Sequence, residues 1–155
     1  MELSELVARE RIRDTLAHYN WSGDAGRLTE LADAFTDDGI LEVRGGDRLE
    51  GRDAILEFLG GTVSSADAAR RAETTAPRRR IVRHMLTNVR FLEVAATHAR
   101  VEAYYTVVTE VGLDHYGRYR DRFVPVGDRW LIAHRLVGTD WAAEGSVMAD
   151  PQALG

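Results

Sequence analysis

The sequence predicts an α+β protein in which N-terminal helices pack on one face of a strongly curved antiparallel or mixed sheet. Apolar residues recur at helical spacing in the first third of the chain, and from Ile81 onward the apolar period changes to two. Hairpin-sized connections separate the later runs, so helices come first and an antiparallel meander follows. With 155 residues, the chain is expected to form a single domain over 1–155.

The first part of the chain is expected to contain three helices and one hairpin. Their positions follow from apolar spacing and from glycine-rich turn signals. The predicted elements are an amphipathic helix over residues 3–20, a second helical stripe over 28–35 ended by a turn at 37–39, a hairpin over 40–50 around Gly45-Gly46-Asp47, and a short third helix after Gly51 that stops at Gly60-Gly61.

Residues 62–80 show no sustained apolar period and are predicted to be a mobile loop with one helical turn around 66–71. This segment is rich in arginine, with basic side chains at Arg70, Arg71 and residues 78–80. Such a run can attract an anion, but a solvated charge run is the favoured interpretation.

Four β-rich runs follow, over residues 81–94, 98–111, 116–126 and 129–138. In the run over 98–111, one face is predicted to be buried and the other exposed to solvent. The buried face is formed by Val101, Ala103, Tyr105, Val107 and Val111, and the wet face by Arg100, Glu102, Tyr104 and Glu110.

Composition and motifs argue against several classes of function. The net charge of −5 is the wrong sign for a nucleic-acid footprint. No segment approaches a membrane span and the start lacks the apolar run of a signal peptide, so a cytoplasmic protein is the default expectation. The chain has no cysteine, no HExxH motif, no phosphate loop and no nucleophile elbow. We therefore expect neither a metal nor a cofactor.

Asp24 and His84 each allow two interpretations. Asp24 precedes a predicted helix, where a carboxylate can cap the backbone N–H groups at about 0.5–2 kcal/mol. His84 shares a strand face with Val82, Leu86 and Asn88, a mixed face that suits a pocket wall better than a dry core. A neutral imidazole is well suited to take a proton near pH 7, and a carboxylate on its other nitrogen would fix the tautomer.

Several segments in order resemble the nuclear transport factor 2-like superfamily, in its SnoaL-like branch. The residues concerned are Tyr19, Asp24, FTDDGILEV (35–43), GRDAI (51–55), RHMLTNVRF (83–91), VEAYYTV (101–107) and GRYRDRFVPVGDRWLI (117–132). That branch includes polyketide cyclases, scytalone dehydratase, a bile-acid 7α-dehydratase and hexachlorocyclohexane dehydrochlorinase. The resemblance implies a cone-shaped α+β barrel that encloses a pocket.

The resemblance also implies a catalytic dyad. Asp24 and His84 match the aspartate and histidine that form this dyad in the dehydratase and dehydrochlorinase members. Tyr105 stands where scytalone dehydratase has a second histidine, and Val43 stands where that enzyme and the bile-acid enzyme have a tyrosine. These departures imply a different substrate or a different proton donor. Tyr105 and Tyr19 are candidates to polarise a substrate oxygen, and the alternative for each is an amphipathic core residue whose hydroxyl reaches the surface.

Large and polar residues near these positions are candidates to line the pocket, with plain core packing as the alternative. The predicted substrate-binding residues are Trp21, Phe58, Met85, Asn88, Tyr119, His134 and Trp141. For His134, core packing is favoured, because it shares a predicted strand face with Trp130, Ile132 and Leu136. The remaining histidines, His18, His98 and His115, are expected on a helix surface or in turns.

The favoured hypothesis is a cofactor-independent lyase or isomerase, such as a dehydratase or cyclase, that acts on an apolar, cyclic, oxygenated small molecule. The alternative is a non-catalytic binding module or accessory subunit with the same pocket. Exposed strand faces carry Tyr104 and Val108 among charged residues, and members of the family commonly form dimers or trimers. We therefore expect a homo-oligomer, either a dimer or a trimer.

Overall fold

The computed structural model describes residues 1–73, 81–110, 112–146 and 148–149, with the backbone alone for 66–73. These residues form three helices and six strands. They are α1 (Leu3–Asp24), α2 (Leu28–Ala32), β1 (Phe35–Val43), β2 (Arg48–Glu50), α3 (Arg52–Glu73), β3 (Val82–Val94), β4 (Ala99–Thr109), β5 (Gly112–Val126) and β6 (Arg129–Ala142).

The strands form one mixed sheet in the order β2-β1-β6-β5-β4-β3. Strands β1 and β6 pair in parallel, and the other neighbours pair antiparallel. The sheet is curled but does not close into a barrel. Its curvature brings side chains from β1, β3, β4, β5 and β6 around one cavity. The predicted α+β fold, with helices packed on a curved sheet that encloses a pocket, is confirmed.

The first helix extends beyond its predicted end, to Asp24, and the second is shorter than predicted. The prediction of a helix over 28–35 is wrong after Ala32, because Ala34 and Phe35 are buried against the sheet and the Ala34 carbonyl accepts the N–H of Ile132. The predicted turn at 37–39 lies inside β1, whose register shifts between Phe35 and Ile40. The hairpin over 40–50 is confirmed as the β1–β2 pair.

The predicted stop at Gly60-Gly61 is wrong, since α3 continues to Glu73. A glycine inside a helix costs about 1 kcal/mol relative to alanine, which weakens a helix without ending it. Most of the predicted loop at 62–80 is therefore helical. Residues 74–80 and the side chains of Arg70 and Arg71 lie outside the described residues, so the anion hypothesis stays a prediction. Neither of the two long helices that the structure describes is apolar enough to cross a membrane.

The four β-rich runs are confirmed as β3 to β6, and the predicted inner face of β4 is buried from Val101 through Val107. Five bulges in β3 to β6 change which side chains point inward. The extra residues opposite the partner strands are Asn88 and Leu92 in β3, Asp114 in β5, and Ala133 and Asp140 in β6. Each extra residue reverses the inward and outward alternation of the residues after it.

The buried side chains form two neighbouring clusters. The larger lies between the helices and the sheet and includes Ile12, Leu16, Phe35, Ile55, Val101, Phe123 and Ile132. The smaller consists of Val82, Tyr105, Val107 and Tyr119, next to the cavity.

Candidate active site

Asp24 and His84 are joined by two hydrogen bonds, although sixty positions separate them in sequence. The Asp24 carboxylate accepts the backbone N–H of His84 at 3.0 Å and lies 2.6 Å from its Nδ1 atom. The side chains are 12% and 19% exposed, respectively. Asp24 is the last residue of α1, and His84 lies near the start of β3. The helix end therefore positions the carboxylate against the strand.

This contact fixes the proton arrangement of the imidazole. A carboxylate accepts hydrogen bonds, so Nδ1 carries the proton and Nε2 of the neutral ring has a free lone pair. His84 lines the cavity, and its Nε2 atom has no hydrogen-bond partner among the described residues. The ring is thus arranged as a base that faces open space.

The helix-cap interpretation of Asp24 is wrong. The residue at the N-cap of α2 is Arg27, and the Asp24 carboxylate is used by His84 instead. Asp24 ends α1, where the partial negative charge of the helix disfavours a carboxylate, by about 0.3–1 kcal/mol at an exposed site. No basic residue occupies the last turn of α1. Helix stability therefore does not account for an aspartate at this position.

The cavity beside His84 has a volume of about 350 Å³. Its wall combines apolar side chains with a few polar groups, as small-molecule sites do. The described lining residues are Tyr19, Leu41, Val43, Arg44, Gly45, Gly46, Phe58, Leu59, Thr62, His84, Tyr105, His115, Tyr119, Val137, Thr139, Met148 and Ala149.

Three buried tyrosines form an aromatic wall. Tyr119 stacks on Tyr105 with ring centroids 4.6 Å apart and meets Tyr19 edge to face at 6.3 Å. Burial raises the pKa of all three phenols, and for Tyr119 the pKa lies well above the usual value. The nearby Arg135 charge partly offsets this rise for Tyr19, and a hydrogen bond with Thr139 partly offsets it for Tyr105. The phenols therefore stay protonated and can donate hydrogen bonds to a substrate oxygen.

A buried ion pair holds two of these tyrosines. Arg135 is fully buried and donates through Nε and Nη2 to the Asp121 carboxylate at 2.9 and 2.7 Å. Its guanidinium lies 4.2 Å from the Tyr19 ring centroid and 4.0 Å from that of Tyr119. Burial lowers the pKa of Arg135, but the charge and hydrogen bonds of Asp121 outweigh this and raise it overall. Arg135 is therefore a permanent cation between two ring faces.

A family model for the SnoaL-like domain matches residues 4–136, which is most of the chain. The chain belongs to the SnoaL-like family. This family includes cofactor-independent cyclases and dehydratases, and the resemblance predicted from the sequence is confirmed.

Solved structures support the same fold for this SnoaL-like chain. A proposed scytalone dehydratase from Novosphingobium aromaticivorans is 24% identical, with a TM-score of 0.77 and 97% of each chain covered. A protein of unknown function with a cystatin-like fold from Nostoc punctiforme is 20% identical, with a TM-score of 0.72 over 90% of this chain and 96% of that one. A structure from Catenulispora acidiphila in complex with S-DNPA is 27% identical, with a TM-score of 0.63 over 85% and 92%. Among curated proteins, no match was found.

Of the residues predicted to line the SnoaL-like pocket, the structure places Phe58 and Tyr119 in the cavity wall, together with the predicted catalytic residues His84, Tyr105 and Tyr19. Asp24, the fourth predicted catalytic residue, does not line the cavity and contacts it only through His84. The other five predicted lining residues lie elsewhere. Trp21 is 75% exposed because it follows Tyr19 by two positions, about 200° around the helix. It lines a separate groove that His84 also borders. Met85 follows His84 directly and points to the opposite face of β3, where it is about half exposed.

Asn88, His134 and Trp141 also lie away from the cavity, and a strand bulge accounts for each of them, at Asn88, Ala133 and Asp140 respectively. Asn88 is the extra residue of its bulge, with φ at 52°, and it is exposed. The bulge at Ala133 turns His134 to the outer face, where Nε2 contacts a Glu42 carboxylate oxygen at 2.8 Å. Trp141 stacks on Tyr116 on the same outer face, with ring centroids 5.5 Å apart. Whether this face joins copies of the chain into an oligomer stays a prediction.

Sequence reasoning missed three polar residues of the SnoaL-like site. His115 was expected in a turn, but it lies inside β5, is 8% exposed and lines the cavity. Alternation does not predict that Arg135 and Asp121 are buried, because charged residues in alternating strands usually face solvent. Their opposite charges on adjacent predicted strands are the one signal that indicates a pair. Among the described residues, no group of three or more His, Asp or Glu side chains forms a metal site.

Proposed function

We propose that this protein is a cofactor-independent lyase or isomerase that removes a proton from a carbon next to a substrate carbonyl, with His84 as the base. The observation that supports this most is the double hydrogen bond from His84 to Asp24, which leaves Nε2 facing the cavity. Membership of a family with cofactor-independent cyclases and dehydratases agrees with this role.

In the proposed reaction, His84 Nε2 takes the proton and becomes an imidazolium, whose charge is balanced by Asp24. The electron pair of the broken C–H bond moves toward the carbonyl oxygen and forms an enolate. Tyr19 and Tyr105 donate hydrogen bonds to that oxygen, which are strongest when its negative charge develops. From the enolate, loss of a neighbouring leaving group, return of the proton at another position or ring closure would each complete a known type of reaction.

The cavity favours an apolar substrate with one or more oxygen atoms. Its wall is mostly aliphatic and aromatic, and about 350 Å³ suits a molecule of two or three fused rings. Three of the polar groups, His84, Tyr105 and His115, stand on the wall formed by β3, β4 and β5. The related structure from Catenulispora acidiphila that was solved in complex with S-DNPA supports a ligand-binding role for this fold.

Proton abstraction can be tested without knowing the natural substrate. When 2-tetralone is incubated with the protein in D₂O, NMR should show hydrogen exchange next to the carbonyl well above the buffer rate. His84→Ala should lower the enzymatic exchange by about 10²–10⁴-fold, the usual contribution of a general base. His18→Ala is a matched control, because His18 is partly exposed, lies outside the cavity lining and contacts a backbone carbonyl of Glu30 through Nε2.

Undiminished exchange by His84→Ala would remove the histidine from the mechanism.

The second candidate function is a non-catalytic receptor. The observation that favours it is that the Tyr105 hydroxyl already has a partner, the Thr139 hydroxyl at 2.9 Å. Binding of hydroxylated fused-ring ketones by the wild-type protein without exchange or product would support the receptor.

A further inference from the structure

The cavity wall contains a further carboxylate–imidazole pair, formed by two neighbouring residues of β5. His115 Nδ1 lies 2.6 Å from an Asp114 carboxylate oxygen, and the two side chains are 10% and 3% exposed. His115 lines the cavity and meets the Tyr105 ring edge to face, with centroids 5.8 Å apart. Among the described residues, its Nε2 atom has no hydrogen-bond partner. The arrangement repeats that of His84 with Asp24.

Neighbouring residues of a regular strand point to opposite faces, so a contact of this kind needs a distortion. Val108 pairs with Leu113 and Val107 pairs with His115, which leaves Asp114 as the extra residue of a bulge. The bulge turns the carboxylate toward the ring of the next residue. Bulges next to active sites commonly re-aim a side chain in this way.

The Asp114 carboxylate is also held by the chain that follows β6. The Ser146 hydroxyl donates to the same carboxylate oxygen at 2.7 Å, and Ser146 Oγ accepts the backbone N–H of Ala149 at 3.0 Å. Met148 and Ala149 line the cavity. A carboxylate at 3% exposure carries a substantial desolvation cost, which is offset only by strong partners such as these.

His84 and His115 lie in one row of the sheet. His84 pairs with Val107 on β4, and Val107 pairs with His115 on β5. Two strand spacings separate the Cα atoms of the histidines by about 10 Å. Both rings border the same cavity, so a substrate of ring size can lie between two Nε2 atoms, each fixed by a carboxylate on Nδ1.

We infer that His115 is the proton donor to the leaving oxygen in an elimination that His84 begins, an inference that rests on the proposed function. His84 Nε2 takes the proton from the carbon next to the carbonyl, and the C–H electron pair becomes the new C=C bond. The C–O bond at the next carbon breaks with its electron pair on oxygen. The His115 imidazolium, balanced by Asp114, gives its Nε2 proton to that oxygen, and water leaves. Proton exchange with solvent then returns each histidine to its starting state.

The competing explanation is that Asp114 and His115 only anchor the segment around Ser146. A leaving-group comparison separates the two roles. 3-Hydroxy-1-tetralone loses water to give 1-naphthol, and that oxygen must be protonated as it departs. 3-Acetoxy-1-tetralone loses acetate to give the same product, and acetate leaves without protonation. Loss of a proton donor should lower the elimination rate of the first compound alone, whereas loss of a structural anchor should lower the rates of both compounds.

We expect His115→Asn to lower water loss by about 10²-fold or more and to change acetate loss by less than about threefold. Ser146→Ala removes the anchor but keeps the imidazole, and should therefore change both rates by the same factor, within about threefold of each other. His84→Ala should lower both. His98→Asn is the matched histidine control, since His98 lies on a turn far from the cavity lining, and equal melting temperatures would show that all variants are folded.

Equal losses for both leaving groups in His115→Asn, or no loss for either, would overturn the inference. A wild-type protein that eliminates acetate but not water would overturn it as well. These outcomes leave the proposed function intact if wild type still exchanges the protons of 2-tetralone. Absence of that exchange in wild type would instead remove the proposed function, and this inference with it.

Discussion

Asp24→Asn is expected to lower proton abstraction from 2-tetralone by about 10²–10⁴-fold without unfolding the protein. The backbone N–H of His84 needs an acceptor, so the asparagine carbonyl should take that position and leave the amide NH₂ beside Nδ1. An NH₂ group donates, which forces the proton of the ring onto Nε2. The imidazole would then face the cavity with the wrong tautomer for a base.

The rate of deuterium exchange measures this effect, and thermal melting checks the fold. We expect at most a small loss of stability, because removing a charge from the C-terminal end of α1 relieves its unfavourable interaction with the helix dipole. Asp38→Asn is the matched control, as Asp38 is exposed and lies outside the cavity lining. A fully active Asp24→Asn variant would show that the carboxylate does not set the tautomer of His84.

Removing either member of the buried ion pair should be strongly destabilising. Asp121→Asn leaves the Arg135 cation buried without a counter-charge. Arg135→Met likewise leaves the Asp121 carboxylate buried without a counter-charge. Breaking a buried pair in this way costs about 3–5 kcal/mol of unfolding free energy. The double variant Asp121→Asn with Arg135→Met should recover much of this loss, because it removes both charges. Urea unfolding of the three variants gives the coupling energy directly.

The same two strands supply a matched control. Arg118 on β5 and Asp140 on β6 also form a two-bonded pair, at 3.0 and 2.8 Å, but their side chains are 41% and 32% exposed. Loss of this pair should cost far less than loss of the buried pair, since solvent screens it. Equal costs for the buried and exposed pairs would contradict the argument that burial makes the Asp121–Arg135 pair essential.

Local patterns were enough to predict the sequence of helices and strands. The apolar period identifies α1 and β4 because each buries one regular face, and the Gly45-Gly46-Asp47 signal identifies the β1–β2 hairpin through backbone conformation alone. The Asp24–His84 contact was also found from the sequence, through family resemblance and not through periodicity. Nothing local in residues 19–27 distinguishes a helix cap from a carboxylate that a distant strand uses.

The missed residues follow from irregularities that alternation does not show. One extra residue at Ala133 turns Arg135 inward and His134 outward, which reverses what a regular strand predicts. The extra residue at Asp114 places a carboxylate beside His115, and the one at Asn88 removes that side chain from the cavity. The predicted helix end at Gly60-Gly61 gives glycine too much importance. Packing of α3 against α2 and β1 outweighs the loss of helix stability that these two glycines cause.

The most direct test of the account is a crystal structure with 2-naphthol, the stable aromatic counterpart of the enol of 2-tetralone. We predict that the carbon next to the C–OH carbon lies about 3–3.5 Å from His84 Nε2, the distance of a reactive contact. Its hydroxyl should lie within hydrogen-bond distance of the Tyr19 or Tyr105 hydroxyl, with the Asp24–His84 bond unchanged. A naphthol bound in the cavity with its ring carbons turned away from His84, or bound only outside the cavity, would contradict the assignment of His84 as the base.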